Sequence, residues 1–329
     1  MKIVSLLFLS TLLLVNSFNS SQEPPELQEA DKLNESAVKL YNEGRFNEAL
    51  PLAKRALEIR DKLLPRTDPR VSSSLTNLGE IYIAQKDYKP AREVFQRLLQ
   101  IQEEVFGPED VNLAFALDRL AVLYYVARNP RETEAAYKRA LALREKTLGA
   151  NDEQVAEAWF KLGEFYRFER DLQPALESYK KALNLYGKLT GTTTPEFERA
   201  SDGFVCLSYD HRKPELFKEL TAIRKQFSGS DTADTEPVTV LNGRALSLPQ
   251  PEYPAAASQR RLSGLVVVKV QIDESGNVIE ATDMCKGPPF LSEAAVAAAR
   301  KARFSPTMFD GQPIKISGVI RYTFTRRFR

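Results

Sequence analysis

The chain repeats itself with a period of 42 residues, and this period constrains its fold more than any other feature. Phe95, Tyr137 and Tyr179 lie one period apart, and each begins a run with small or apolar residues three, four and six positions later. One period earlier, Ala53 begins the same kind of run without an aromatic residue. Because residues at these spacings share one face of a helix, the period predicts a stack of similar helical units.

A second helical pattern precedes each run and keeps in step with it. Its centre is a small residue with leucine immediately before it and tyrosine three positions later, at Gly79, Ala121 and Gly163. We expect the small residue to let two helices approach closely, and the aromatic residue of the following run to fill the space between units. Turn-forming residues separate the units, at Pro65, Gly107, Pro108, Gly149 and Gly191.

These motifs resemble the tetratricopeptide repeat (TPR). The segment Trp159-x2-Leu162-Gly163-x2-Tyr166 matches the first-helix pattern of that repeat in full. The 42-residue period is similar to the long repeats of kinesin light chains. The resemblance covers residues 26–227 and implies an all-α superhelical array whose concave groove binds another protein.

One polar position recurs on the predicted first helices. It is occupied by Asn77, Arg119 and Lys161, which are 42 residues apart. These three residues are candidates for lining the groove and docking a partner protein. A solvated helix face is the alternative interpretation.

The first 20 residues are predicted to form a secretory signal peptide. Residues 3–15 are almost entirely apolar and are followed by small polar residues, with Ser17 and Ser20 as candidate cleavage sites. An apolar helix of that length spans roughly 20 Å, short of the ~30 Å hydrocarbon core of a bilayer. We therefore expect an exported protein that is soluble in the periplasm after cleavage. An uncleaved N-terminus anchored in the inner membrane is the alternative.

After a polar linker at residues 228–237, the hydrophobic pattern changes from helical to alternating. Asn242-Gly243 predicts a hairpin between strands at 238–241 and 244–248. The further predicted elements are a helix at 255–261, strands at 265–272 and 278–282, a helix at 290–303 and a last strand at 314–324. This order predicts a small α+β domain in which the longer helix covers the apolar face of the sheet.

Several short motifs of this region occur in the order found in the C-terminal domain of TonB. They are Pro251-x-Tyr253-Pro254, Ile272-Asp273-x2-Gly276, Phe304-x-Pro306, Gly311-x-Pro313 and Tyr322-x-Phe324. Residues 238–329 therefore resemble a TonB C-terminal domain. The resemblance implies that the domain captures an extended segment of an outer-membrane receptor at its last strand, and it implies a role in transmembrane transport.

The last strand is the candidate site of that capture. An exposed sheet edge has unpaired N–H and C=O groups, to which an extended peptide can add as a further strand. Two alternatives remain open: these residues form only sheet core, or a second copy of the chain occupies the edge and the protein is a dimerising scaffold for envelope assembly. The candidate edge residues are Ile314, Ile316, Ser317, Val319, Arg321, Tyr322 and Phe324.

The C-terminal region is also basic. Residues 238–329 contain 13 Lys and Arg residues against 7 Asp and Glu residues. This charge attracts an acidic segment or surface, and the export signal excludes the usual nucleic-acid partners.

The residues offer no chemistry beyond binding. His211 is the only histidine, so a multi-histidine metal site cannot form, and no phosphate-loop motif occurs. We expect Cys206 and Cys285 to be small packing residues, with a disulfide in an oxidising compartment as the alternative. The sequence thus predicts a non-enzymatic adaptor that binds proteins, without catalytic residues, cofactor, metal ion or small-molecule substrate.

Overall fold

The computed structural model describes residues 23–228, 244–309 and 311–325 of the chain. The predicted signal peptide lies outside these residues, as do most of the predicted linker and the first strand of the predicted hairpin. No helix in the described ranges is both long enough and apolar enough to cross a membrane. The chain divides into two compact units, Met1–Ile101 and Gln102–Arg329.

Helices fill the described chain from residue 25 to residue 228. Their starts repeat with the sequence period, since Asp68 and Asp152 occupy equivalent positions and each accepts a hydrogen bond from the backbone N–H two residues later. A short 3-10 turn, Val111–Leu113, precedes the fifth α-helix. In chain order the α-helices are α1 Pro25–Asn42, α2 Phe46–Leu63, α3 Pro69–Ala84, α4 Tyr88–Phe106, α5 Ala114–Val126, α6 Pro130–Leu148, α7 Glu153–Phe168, α8 Leu172–Leu189, α9 Pro195–His211 and α10 Leu216–Ser228.

The aromatic rings of the repeat pack directly on the small residues at Gly79 and Gly163. A Cβ atom at Gly79 would lie 2.5 Å from the Phe95 ring, and one at Gly163 would lie 2.9 Å from the Tyr179 ring. Both rings are fully buried. In the intervening repeat, alanine replaces the glycine, and the aromatic residue Tyr137 is only partly buried.

The C-terminal region is built on a three-stranded antiparallel sheet with the order β3-β2-β7. Helix α12 covers one face of this sheet, and its residues Leu291 and Ala295 share a buried cluster with Val268 and Ile320. The opposite face is called the outer face. The elements are β1 Ala245–Ser247, α11 Ala255–Gln259, β2 Gly264–Ile272, β3 Val278–Asp283, α12 Pro289–Ala299, β4 Arg303–Phe304, β5 Thr307–Phe309, β6 Gln312–Ile314 and β7 Ile316–Phe324.

Two elements differ from the sequence prediction. The predicted helix at 290–303 ends at Ala299, because Arg303 and Phe304 form a strand that pairs with β1. The predicted last strand at 314–324 is divided, because Ile314 pairs with Thr307 in a separate hairpin of β5 and β6 before β7 begins.

The terminal helices of the array contact the C-terminal sheet through a disulfide bond. Cys206 of α9 is bonded to Cys285, which follows β3, with their Cα atoms 5.4 Å apart. The expectation that the two cysteines are separate packing residues is therefore wrong. The prediction failed because α9 and the segment after β3 lie side by side in the fold, and the positions of the two cysteines in the sequence do not reveal this contact.

Replacing Gly163 by valine is expected to destabilise the protein by about 1–3 kcal/mol, because the buried Tyr179 ring has no room to withdraw. Urea unfolding followed by circular dichroism measures this change. The control is Glu177→Val, which adds the same branched side chain at an exposed position of α8. Equal losses in the two variants would contradict the close packing of helix and ring.

Reduction of the disulfide is expected to lower the free energy of unfolding by about 2–5 kcal/mol, because the cross-link restricts the unfolded chain between two residues distant in sequence. Calorimetry with and without reductant measures the effect. In the control variant Cys206→Ala/Cys285→Ala, reductant should change nothing. Two thiols titrated in the protein unfolded without reductant would show that the bond is absent.

Candidate functional site

Strand β7 lies at one end of the three-stranded sheet. It pairs with β2 along its whole length, from Ile316 opposite Ile272 to Phe324 opposite Gly264. Within the described ranges, no strand pairs with its other side. Strand β1 pairs with β4 and leaves this edge open.

The hydrogen bonds of β2 identify which main-chain groups of β7 face its open side. The N–H of Met284 donates to the carbonyl oxygen of Val267 at 2.9 Å, so the peptide groups of Val267 point toward β3. Alternate residues of a strand point to opposite sides, so those of Val266 and Val268 point toward β7. Their partners are Tyr322 and Ile320. The open side therefore carries the N–H and C=O groups of the odd-numbered residues, namely Ser317, Val319, Arg321 and Thr323.

The side chains of the predicted edge residues separate into two groups. Tyr322 and Phe324 are buried beneath α12, and Ile316 packs against the same cluster. Ser317 and Arg321 are exposed on the outer face, where Val319 is half-buried. Ile314, which belongs to β6, is not part of this strand. Burial also raises the pKa of Tyr322.

The opposite edge of the sheet, at β3, is partly covered. The N–H of Phe304 donates to the carbonyl oxygen of Gly276 at 2.9 Å, and Asn277 forms a bridge with Arg303. Gly276 has a φ of 84°, and the backbone of Phe304 lies where a Cβ would be. Only glycine fits this turn without displacing β4. The beginning of β3 is thus closed to an added strand.

Charged side chains join the outer face to the array. The Nζ of Lys269 lies 2.8 Å from Asp202, and that of Lys286 lies 3.2 Å from Glu164. Burial raises the pKa of Asp202 despite its lysine partner. Burial also opposes the ionisation of Glu164, but Arg167, the Tyr179 hydroxyl and Lys286 together outweigh it and lower the pKa of Glu164.

The three predicted groove residues are all half-buried. Asn77 donates to the side-chain oxygen of Asn34 at 2.9 Å, and Lys161 contacts Asp118 at 2.7 Å. Each bond joins residues 43 positions apart in successive repeats, so both are contacts within the array. The guanidinium group of Arg119 lies 5.1 Å from the centre of the Phe115 ring.

Helix α5 carries an exposed apolar stripe that the sequence analysis did not single out. Phe115, Val122 and Val126 are 40%, 38% and 42% exposed. With Arg119 they follow helical spacing along one face. The signal was present in the sequence, but apolar residues at helical spacing are usually core, so spacing alone did not distinguish this stripe.

Two family models match the chain. The Gram-negative bacterial TonB protein C-terminal model matches residues 249–325, and the tetratricopeptide repeat model matches residues 28–104, 71–132 and 112–188. Both are families of non-enzymatic binding domains. In the part of the chain that the structure describes, no group of three or more His, Cys, Asp or Glu residues could hold a metal ion.

One curated relative matches the C-terminal region. Protein TonB of Vibrio cholerae serotype O1 is 33% identical over 66 residues, which are 20% of this chain and 27% of that protein. The chain thus matches little more than a quarter of that relative's length.

The helical array is similar in fold to two solved structures. The kinesin light chain TPR-like repeats of Podosopora anserina align with a TM-score of 0.53 and 19% identity, over 63% of this chain and 100% of that one. BtubC (BKLC) from P. vanneervenii aligns with a TM-score of 0.50 and 19% identity, over 70% of this chain and 95% of that one. With the family matches, these similarities confirm the predicted fold class. The chain thus combines a segment that matches the tetratricopeptide repeat model, with a fold similar to that of kinesin light chain repeats, and a segment that matches the TonB C-terminal model.

Proposed function

We propose that the protein is a periplasmic adaptor whose C-terminal domain binds an extended segment of one partner protein while its helical array docks another. The segment adds as a further strand along β7. The single observation that carries this proposal is the position of β7 at the end of the sheet, with main-chain groups of four residues on its open side.

The partner at β7 is proposed to be an outer-membrane transporter, which would give the protein a role in transmembrane transport. Support comes from the match of residues 249–325 to the TonB C-terminal family and from the V. cholerae relative. The disulfide between Cys206 and Cys285 supports an exported location, because such bonds persist in oxidising compartments.

The array is proposed to bind its partner around α5. The exposed stripe of Phe115, Val122 and Val126 provides apolar area, and Arg119 provides a charge within it. Asn77 and Lys161 occupy the equivalent position in their own repeats. Exposed apolar patches of this kind are typical of interaction surfaces.

Replacing Val319 by proline is expected to weaken peptide binding about tenfold or more, because it removes an N–H group from the open side of β7. The bonds between β7 and β2 should survive, since proline is tolerated where a strand's N–H group faces away from the sheet. The measurement uses the full chain and fluorescent peptides tiled from the periplasmic segments of outer-membrane transporters. Val319→Thr, which keeps the N–H group, should bind like the wild type.

The oligomeric state, measured by light scattering at micromolar concentration, tests the alternative function. A stable dimer that Val319→Pro converts to monomer, together with no peptide binding, would contradict the adaptor and favour a dimerising scaffold for envelope assembly. Unchanged melting temperatures would show that both variants remain folded.

A further inference from the structure

A cleft of ≈ 870 Å³ lies between the outer face of the C-terminal sheet and the ends of α7 and α9. It is called the basic cleft here. The array contributes the ends of two successive repeats, and the sheet contributes β2, β7 and the segment after β3. Its lining includes Phe168, Arg170, Arg212, Leu265, Lys286 and Arg321.

The lining of the basic cleft has an excess of positive charge. Its buried arginine, Arg167, is already engaged, since it donates to Asp210 at 3.1 Å and to the carbonyl oxygen of Cys285 at 3.4 Å. Asp210 is the one acidic residue in the described lining. Arg170, Arg212 and Arg321 are exposed, and within the described ranges no carboxylate pairs with them.

The two arginines from the array occupy equivalent positions of successive repeats. Arg170 follows α7 and Arg212 follows α9, with φ angles of 61° and 55°, in the left-handed region that glycine adopts more easily than other residues. A cation at a helix C-terminus is favoured by the helix dipole, which explains one arginine on its own. Here both arginines line one cleft together with Arg321, which comes from a different domain.

The cleft also adjoins the open edge of β7. Arg321 and Thr323 of β7 both line the cleft, and the Arg321 guanidinium group lies 5.9 Å from the centre of the Tyr209 ring on α9. A strand added to β7 would lie about 4.8 Å beyond it, with every second side chain on the outer face. Those side chains would project beside Arg321, toward the cleft.

We propose that the basic cleft recognises acidic side chains at alternate positions of the extended segment that pairs with β7. This inference rests on the proposed function and adds the sequence preference of the bound segment. The lining combines cations with exposed apolar residues, since Phe168 and Leu265 are 37% and 38% exposed. A peptide with alternating acidic and apolar residues matches both features, whereas a free inorganic anion matches only the charge.

The test compares three fluorescein-labelled octapeptides that alternate valine with glutamate, glutamine or lysine. Anisotropy with the full chain should show the glutamate peptide binding about tenfold more tightly than the glutamine peptide, and the lysine peptide binding most weakly. At about 0.5 M NaCl the difference should largely vanish, because exposed charges are then screened.

The variant Arg170→Gln/Arg212→Gln should remove most of the preference for glutamate and leave binding of the glutamine peptide unchanged. The matched control is Arg300→Gln/Lys301→Gln, which removes two exposed cations after α12 that do not line the cleft. The control should keep the preference. Melting temperatures of both variants should stay close to the wild-type value.

The outcomes separate this proposal from the one on which it rests. Equal binding of the glutamate and glutamine peptides, abolished by Val319→Pro, would overturn the cleft proposal and keep the adaptor. A glutamate preference that survives Val319→Pro would overturn strand pairing at β7 and leave the cleft as a site for acidic peptides that is independent of it. No binding of any peptide would overturn both. Displacement of the glutamate peptide by about 10 mM inorganic phosphate at constant ionic strength would overturn the cleft proposal in favour of a free-anion site.

Discussion

The contact between the C-terminal sheet and the terminal helices of the array creates the basic cleft and places it beside the open edge of β7. Val267 is 2% exposed although it lies on the outer face, away from α12. Met284 packs against the apolar core of α7 to α10, and its neighbour Cys285 is bonded to α9. Apolar burial and one covalent bond therefore hold the sheet in place.

The ion pairs at this contact, unlike the apolar burial and the disulfide, contribute little to its stability. Burial raises the pKa of Asp202 despite Lys269. The free-energy cost of burying that carboxylate therefore exceeds the stabilisation by the lysine. Lys286 is 68% exposed at its side chain, and such pairs contribute at most about 1 kcal/mol. These charges are thus better suited to fixing which face of the sheet meets α9 than to stabilising the contact.

Sequence reasoning succeeded where the information was local or periodic. The 42-residue period identified Gly163 and Tyr179 as packing positions because both recur at a fixed spacing, and the structure shows that the ring lies on the glycine. The alternation of β2 predicted the strand and its buried face for the same reason. The open edge was predicted through a family resemblance, and the structure added which main-chain groups point outward from it.

What the sequence did not reveal depends on contacts between distant segments. The cysteine pair joins two domains, and the division of the last strand follows from the pairing of Ile314 with Thr307. The basic cleft draws Arg170 and Arg212 from the array and Arg321 from the sheet. Each of these residues is unremarkable in its own segment. The net positive charge of residues 238–329 predicted an acidic partner, but only the contact between sheet and array shows that basic residues gather in one cleft.

The docked arrangement also makes the two sides of any strand added to β7 unequal. On one side lies the apolar layer under α12, with Tyr322 and Phe324. On the other side lie Arg321 and the ends of two repeats. The edge of β3 offers no substitute, since Phe304 and Arg303 cover its beginning. An isolated C-terminal domain would have the same open edge without the second wall, so the proposed segment-binding site includes residues of the array as well as the edge of β7.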